Sequence, residues 1–276
     1  MMKFTIAVAT LLFALTTNAT ELNNYYPKET ELHLSMKSNN SEALKEHLFD
    51  VLNSMHQETN GRDLLGCDSN KRGKCYRQRS LGYKGARKVL FGKLHLQEDN
   101  NGYFIEDVYC QKKLRRRQTR SMGPGQIPNS NVLNCEHTWP QSKFSRRFSK
   151  GLQKSDLHHL YPTDSRANSV RGNYEFDNVD GFPVDYENCT ASQTQGNGAF
   201  EPPAKHKGNV ARALFYFSVR YDIQISSHQE QVLREWDKQD PIDAEELKRN
   251  ETIFRVQNNR NPFIDIPNLA DRISDF

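Results

Sequence analysis

Glu136 and His137 stand side by side in residues 134–144, which read NCEHTWPQSKF. Neighbouring residues on a strand point to opposite faces, so one site can use both only where the backbone bends or the strand ends. Pro140 favours an end, because proline cannot continue a paired strand. The pair therefore predicts a strand end at which a carboxylate and an imidazole serve one reaction.

Hydrolysis of a phosphodiester near neutral pH needs an activated water, a stabilised phosphate and a stabilised leaving oxygen. His137 suits the first task, since an imidazole with a pKa of about 6.5 is mostly neutral at pH 7. Glu136 offers the oxygen ligand that a hard cation such as Mg²⁺ prefers, and Asn168 could supply a second. Arg166 and Arg171, which lie close to Asn168 in the sequence, could hold the phosphate.

The pair lies in a basic part of a chain whose formal net charge is only +4. Residues 112–154 carry eleven Lys or Arg and one acidic residue, Glu136, whereas residues 222–251 carry four Lys or Arg and nine Asp or Glu. Taken alone, residues 111–120 would be a solvated loop, but a clustered basic face favours a polyanion such as nucleic acid. The predicted nucleic-acid contacts are Arg115, Arg116, Arg117, Arg146, Arg147 and Arg166.

Two strands and a helix are needed to position these side chains. The first strand is predicted over residues 131–137 and the second over 155–162, followed by a short helix over 163–174 that Thr163 or Asp164 can cap. Elsewhere, helical spacing of apolar residues and turn signals predict helices over 41–55, 83–96, 207–221, 227–239 and 243–258, and a strand over 102–110. The pattern predicts an α+β fold, mainly helical, in a single domain.

Asp156, His158 and His159 allow two interpretations. They could form a second metal site, in which zinc would be the expected ion. Alternatively they alternate across a strand, with one side bracing the site through hydrogen bonds and the other facing solvent. The second interpretation is favoured.

The N-terminal sequence indicates export. Lys3 precedes an apolar run over residues 4–15 that is too short to anchor the chain in a bilayer, and a small residue, Ala19, suits signal cleavage. We expect residues 1–19 to be a signal peptide and 20–40 a polar leader, with no stable membrane association after cleavage. Export permits disulfides, of which Cys67 with Cys75 is the simplest pair, and an odd count of five cysteines leaves one thiol free.

Four segments together resemble the endonuclease I family. The members of this family are exported bacterial nucleases of the ββα-metal (His-Me finger) type. The segments are NCEHTWPQSKF, KSDLHHLYPTDSRANSVRGNY, EPPAKHKGNVARALFYF and NRNPFIDIP, and the likeness runs in order from Tyr83 to Pro267. It implies a ββα-metal core at about residues 131–174, and we expect this core to lie within a nuclease domain over residues 41–276. It also implies a periplasmic or secreted enzyme, expected to be monomeric, that cuts DNA and RNA with little regard to sequence and leaves 5′-phosphates.

The resemblance also implies roles for single residues. His137 would be the general base, and Glu136 and Asn168 would hold one divalent cation, expected to be Mg²⁺, with Mn²⁺ or Ca²⁺ as alternatives. The family's phosphate-binding arginine has no certain match, which leaves Arg146, Arg147 and Arg171 as competing candidates.

Two other functions could use the same residues. A zinc hydrolase could use His137, His158 and His159, but the chain has no HExxH helix and its basic surroundings favour a phosphate substrate. A non-catalytic nucleic-acid-binding protein would use the basic stretch alone, and it leaves the arrangement of Glu136, His137 and Asn168 unexplained.

Overall fold

The structure, a computed structural model, describes residues 22–36, 41–54, 56–59, 62–65, 75–196 and 198–276, and for 56–59, 62–65 and 75–76 the description is of the backbone. The predicted signal peptide and the expected pairing of Cys67 with Cys75 therefore lie outside the described residues. In the part of the chain that is described, no helix is long and apolar enough to cross a bilayer.

The helices account for more of the described residues than the strands do, in an α+β arrangement. In chain order they are α1 (Lys28–Ser35), α2 (Ser41–Asn53), α3 (Gly82–Val89), α4 (Arg116–Thr119), α5 (Lys150–Lys154), α6 (Ser165–Arg171), α7 (Ala204–Tyr221), α8 (Ser227–Gln239), α9 (Ala244–Gln257) and α10 (Pro262–Asp265). Helix α1 lies within the predicted polar leader, and α3 continues as a π-helical turn, Leu90–Leu94. The predicted helices that correspond to α2, α7, α8 and α9 are confirmed.

The strands form small sheets. They are β1 (His56–Thr59), β2 (Arg62–Leu65), β3 (Cys75–Tyr76), β4 (Gln97–Asp99), β5 (Gly102–Glu106), β6 (Lys113–Arg115), β7 (Leu133–His137), β8 (Leu160–Asp164), β9 (Glu175–Phe176), β10 (Phe182–Asp185), β11 (Cys189–Thr194) and β12 (Ala199–Glu201). Their orders are β2-β1-β3, β4-β5-β6, β10-β11-β12-β9 and the pair β7-β8. Strands β7 and β8 run antiparallel with Glu136 opposite Tyr161, and α6 follows β8 directly.

Two segments differ from their predicted structures. The strand predicted over 155–162 begins only at Leu160, because the Asp156 side chain accepts the backbone N–H of His158 and turns Leu157–His159 into a 3₁₀ helix. The stretch 111–120, which alone would be a solvated loop, contains β6 and α4, since β6 pairs with β5 and completes a hairpin.

Helix α7 forms the centre of the core. Every residue from 210 to 221 is buried, as expected of a helix surrounded by other elements. The Trp139 ring stacks on the Phe217 ring at 5.4 Å, so the segment after β7 lies directly on α7. On another part of the helix, the Phe215 ring stacks on the ring of Phe276 at 4.4 Å, and Phe263 is also buried there. The C-terminal segment is thus held on the core, as the apolar residues after Pro262 predicted.

Candidate active site

The end of β7 and the helix α6 enclose one cavity of about 280 Å³. Glu136 and His137 reach it from the strand, and Asn168 reaches it from the helix, so the structure brings the three predicted residues together. The cavity is lined by Tyr83, Asn134, Cys135, Glu136, His137, Pro140, Gln141, Ser142, Asn168, Arg171, Gly172 and Asn173.

The Glu136 carboxylate is 1 % exposed and is held through one of its two oxygens. The Tyr109 hydroxyl donates to Oε1 at 2.8 Å, and Nη1 of Arg171 lies 3.0 Å from the same atom. Burial raises the pKa of Glu136, while the Arg171 guanidinium and the Tyr109 hydroxyl act in the opposite direction. Neither of these two contacts uses Oε2, and the carboxylate lines the cavity, where it can take a further ligand.

The hydrogen bonds of His137 fix which ring nitrogen is basic. Nε2 lies 3.2 Å from the Lys154 carbonyl, which can only accept, so Nε2 carries the proton and donates it. Nδ1 therefore carries the lone pair, and the Gln141 amide Nε2 donates a long hydrogen bond of 3.4 Å to it. Burial lowers the pKa of His137 to about 3, so the ring is neutral at pH 7 and Nδ1 is unprotonated.

Asn168 is placed by the short helix α6. Asp164 caps this helix, because its Oδ1 accepts the backbone N–H groups of Arg166 and Ala167. The helix ends at Gly172, whose φ of +53° lies in the region that favours glycine. The Asn168 side chain is half-buried in the cavity wall and makes no hydrogen bond with any described residue. Its amide oxygen is therefore free to bind a ligand.

Arg171 is 1 % exposed and its guanidinium is engaged by the protein. Nη1 donates to the His137 carbonyl at 3.1 Å, and Nη2 donates to the Thr138 carbonyl at 2.6 Å. Together with the Glu136 contact, these bonds hold the end of β7 in place. They favour a positioning role, whereas the predicted role in holding a cleaved phosphate stays a prediction.

Asp156, His158 and His159 are all fully buried, so the expectation that one side of this segment faces solvent was wrong. Nε2 of His158 donates to the Asn259 carbonyl at 3.1 Å, and Nε2 of His159 donates to the Gln153 carbonyl at 2.8 Å. Across the described ranges, no group of three or more His, Cys, Asp or Glu side chains could hold a metal ion. These contacts favour bracing over a second metal site.

Several of the predicted nucleic-acid contacts are paired with carboxylates. Arg115 pairs with Asp99, Arg147 with Asp222, and Arg166 with Asp185, the last at 3.0 Å. Arg116, Arg117 and Arg146 are exposed. None of these six arginines lines the cavity, so their contact with nucleic acid stays a prediction.

Sequence reasoning missed Tyr109, Gln141 and Tyr83. Gln141 lies in the same short segment as Glu136, so its proximity to the site could have been inferred. Tyr109 carries no such signal, because it is 27 residues from Glu136 in the chain. Its neighbour Cys110 forms a disulfide with Cys189, whereas Cys135 is free and buried.

Comparison with known proteins identifies the family of this chain. The model of the endonuclease I family matches residues 69–268. The chain belongs to the endonuclease I family. It is 41 % identical over 158 residues to an extracellular ribonuclease of Bacillus subtilis (strain 168), covering 51 % of this chain and 53 % of that protein. It is 33 % identical over 122 residues to a periplasmic deoxyribonuclease of Aeromonas hydrophila, covering 44 % and 51 %.

A third relative is Endonuclease-1 of Buchnera aphidicola subsp. Baizongia pistaciae, which is 28 % identical over 197 residues, covering 64 % of this chain and 80 % of that protein. The chain spans about half the length of the first two relatives. The family assignment rests on the match of the family model over residues 69–268.

Proposed function

We propose that this protein is an exported, metal-dependent endonuclease that hydrolyses phosphodiester bonds of DNA and RNA with little regard to sequence. The observation that carries the proposal is the single cavity that Glu136, Asn168 and the basic nitrogen of His137 share. Strands β7 and β8 and helix α6 would be its ββα-metal core, within a nuclease domain over residues 41–276. Residues 1–19 would be the signal peptide, and the mature enzyme would act as a monomer in the periplasm or outside the cell.

The residues present fit one divalent cation. Members of the family generally depend on a divalent metal ion, and Oε2 of Glu136 and the Asn168 amide are both available oxygen ligands on one cavity. A set of oxygen ligands with room for water suits Mg²⁺. The same ligands would also accept Mn²⁺ or Ca²⁺. When bound, the ion would stabilise negative charge on the phosphate and on the leaving oxygen.

His137 would act as the general base through Nδ1. This nitrogen accepts a proton from the attacking water, while Nε2 keeps its own proton on the Lys154 carbonyl and holds the ring in one orientation. The attacking water would have to replace the Gln141 amide as the hydrogen-bond partner of Nδ1. If the water attacks phosphorus opposite the 3′ oxygen, the bond from phosphorus to that oxygen breaks and the phosphate stays on the 5′ oxygen, which would give the expected 5′-phosphate ends.

The two other candidate functions have less support. A zinc hydrolase would need His137, His158 and His159 to converge on one ion, but no group of three such side chains among the described residues could hold a metal ion. A protein that only binds nucleic acid does not explain why a buried carboxylate and a neutral imidazole line the same cavity.

The test uses the exported protein with supercoiled plasmid and, separately, with a structured RNA, in Mg²⁺ or in EDTA. Wild type should nick and then degrade both polymers in Mg²⁺, and His137→Ala should not. His228→Ala is the matched control, because His228 is an exposed histidine on α8. If wild type binds plasmid but leaves it intact in Mg²⁺, Mn²⁺ and Ca²⁺, the binding protein is the correct function. Recovery of an EDTA-treated sample by Zn²⁺ alone would instead support the zinc hydrolase.

A further inference from the structure

Helices α3 and α5 pack against each other and present a row of cations beside the active-site cavity. We name this surface the α3–α5 ridge and define it by Lys84, Arg87, Lys88, Lys150 and Lys154. Lys84, Arg87 and Lys88 are spaced by three and four residues, so they lie on one face of α3, and Ala86 is buried beneath them. Lys150 and Lys154 are the first and last residues of α5.

The ridge lies in two parts of the sequence that lack acidic residues. The sequence contains no Asp or Glu from residue 83 to 97, or from 138 to 155. Among the described residues, none of the five cations forms an ion pair with a carboxylate, and Nε of Arg87 is buried without a hydrogen-bond partner. By contrast, Arg115, Arg147 and Arg166 already have partners. The positive charge of the ridge is therefore available to a ligand.

The ridge is continuous with the catalytic residues through Tyr83. The Tyr83 ring lines the cavity, and its centroid lies 5.6 Å from that of the His137 ring. Nζ of Lys154 lies 4.4 Å from the centre of the Tyr83 ring, and Cζ of Arg87 lies 5.5 Å from it. Lys154 also accepts the His137 hydrogen bond through its carbonyl. An anionic chain that leaves the cavity on the side of His137 meets these cations first.

We propose that the α3–α5 ridge binds the phosphodiester backbone of the substrate strand next to the scissile phosphate. The inference rests on the proposed nuclease function and adds a binding surface to it. A row of unpaired cations favours a linear polyanion over a compact ligand, because successive phosphates can each contact one ammonium or guanidinium group. Contacts to the backbone carry no sequence information, which agrees with cleavage that disregards sequence.

The test measures binding separately from cleavage. In EDTA, a labelled oligonucleotide, single-stranded or duplex, is titrated with wild type and with Lys84→Gln/Lys88→Gln over a range of NaCl concentrations by fluorescence anisotropy. Both lysines are exposed, and Gln has a helix propensity close to that of Lys, so the double variant should fold. Lys238→Gln/Lys248→Gln is the matched control, since it removes the same charge from exposed positions on α8 and α9.

Loss of two phosphate contacts should reduce the slope of log K against log salt by about 1.4 for single strands and about 1.8 for duplex. In 0.1 M NaCl, affinity should fall about 25-fold and about 60-fold respectively, with the control close to wild type. In Mg²⁺ the ridge variant should raise KM and leave kcat within about twofold, as expected when uniform binding is removed.

An unchanged slope and affinity in the ridge variant would overturn the inference, as would an equal loss in the control. Vesicles that contain phosphatidylglycerol test the other anionic surface. If the ridge variant loses vesicle binding but keeps oligonucleotide binding, the ridge serves a membrane and the inference is wrong. Failure of the nuclease proposal is a separate result, because wild type would then leave plasmid uncut in Mg²⁺ whatever the ridge variant does.

Discussion

Replacement of Arg171 by Met should destabilise the fold strongly. The side chains of Arg171 and Glu136 are each 2 % exposed, and their closest atoms lie 3.0 Å apart. Arg171→Met leaves a buried carboxylate without its counter-charge, and removing one partner of such a pair costs about 3–5 kcal/mol. The carbonyls of His137 and Thr138 lose their donors as well, and this adds to the cost.

A double-mutant cycle separates the charge from the lost packing. In Glu136→Gln/Arg171→Met the buried charge is absent, so the double variant should be more stable than Arg171→Met alone by about 1–3 kcal/mol. Urea unfolding measures each free energy through the fluorescence of two buried tryptophans, Trp139 and Trp236. Arg166→Met is the control, because Arg166 lies on the same helix but is 73 % exposed.

The outcome also decides what Arg171 does. If Arg171→Met unfolds at the urea concentration of wild type, and only substrate affinity falls, the guanidinium serves the phosphate and not the strand end. The positioning role argued from its contacts would then be wrong. An equal shift in Arg166→Met would show that the loss of positive charge, and not the buried pair, causes the effect.

Three further predictions concern parts of the fold that support the site. Tyr109→Phe removes the hydroxyl that orients Glu136 and should lower kcat in Mg²⁺ by about 10–100-fold; an unchanged kcat would mean that Arg171 alone orients the carboxylate. Cys110→Ala/Cys189→Ala opens a loop of 79 residues and should reduce the free energy of unfolding by about 4–5 kcal/mol, which calorimetry of the variant and of reduced wild type can check; identical Tm values in the presence and absence of reductant would contradict it. Burial lowers the pKa of His158 to about 4, so the unfolded chain takes up a proton at higher pH than the folded one. The contribution of His158 to the free energy of unfolding should therefore be fully present above pH ~6.5 and should be lost as the pH falls towards ~4. Urea midpoints measured across this window should fall less in His158→Gln, and an equal fall in both proteins would remove His158 as the cause.

The local parts of the site could be predicted from the sequence. Glu136 and His137 were expected at a strand end because Pro140 follows them, and β7 does end at His137. Asp164 was one of two expected caps for the helix that carries Asn168, and it is the residue that accepts the first backbone N–H groups. These features depend on neighbours within a few residues, which a sequence displays directly.

The remaining parts depend on contacts between distant segments. Nothing near Arg147 in the sequence indicates that it pairs with Asp222, and nothing near Tyr109 indicates that it donates to Glu136. The strand predicted over 155–162 was partly wrong because a side chain, Asp156, competes for a backbone N–H that periodicity assigns to a sheet. Hydrophobic patterning contains no information about such pairings.

The buried carboxylate of Asp156 ties the site to parts of the chain that are synthesised late. It accepts hydrogen bonds from Tyr216, Tyr221 and Gln257, up to 101 residues further along the chain. These bonds hold the segment that follows Lys154, whose carbonyl orients His137. A growing chain on the ribosome contains the Glu-His pair long before it contains Gln257. If the protein is the proposed nuclease, unfinished or C-terminally truncated chains should therefore lack a working site.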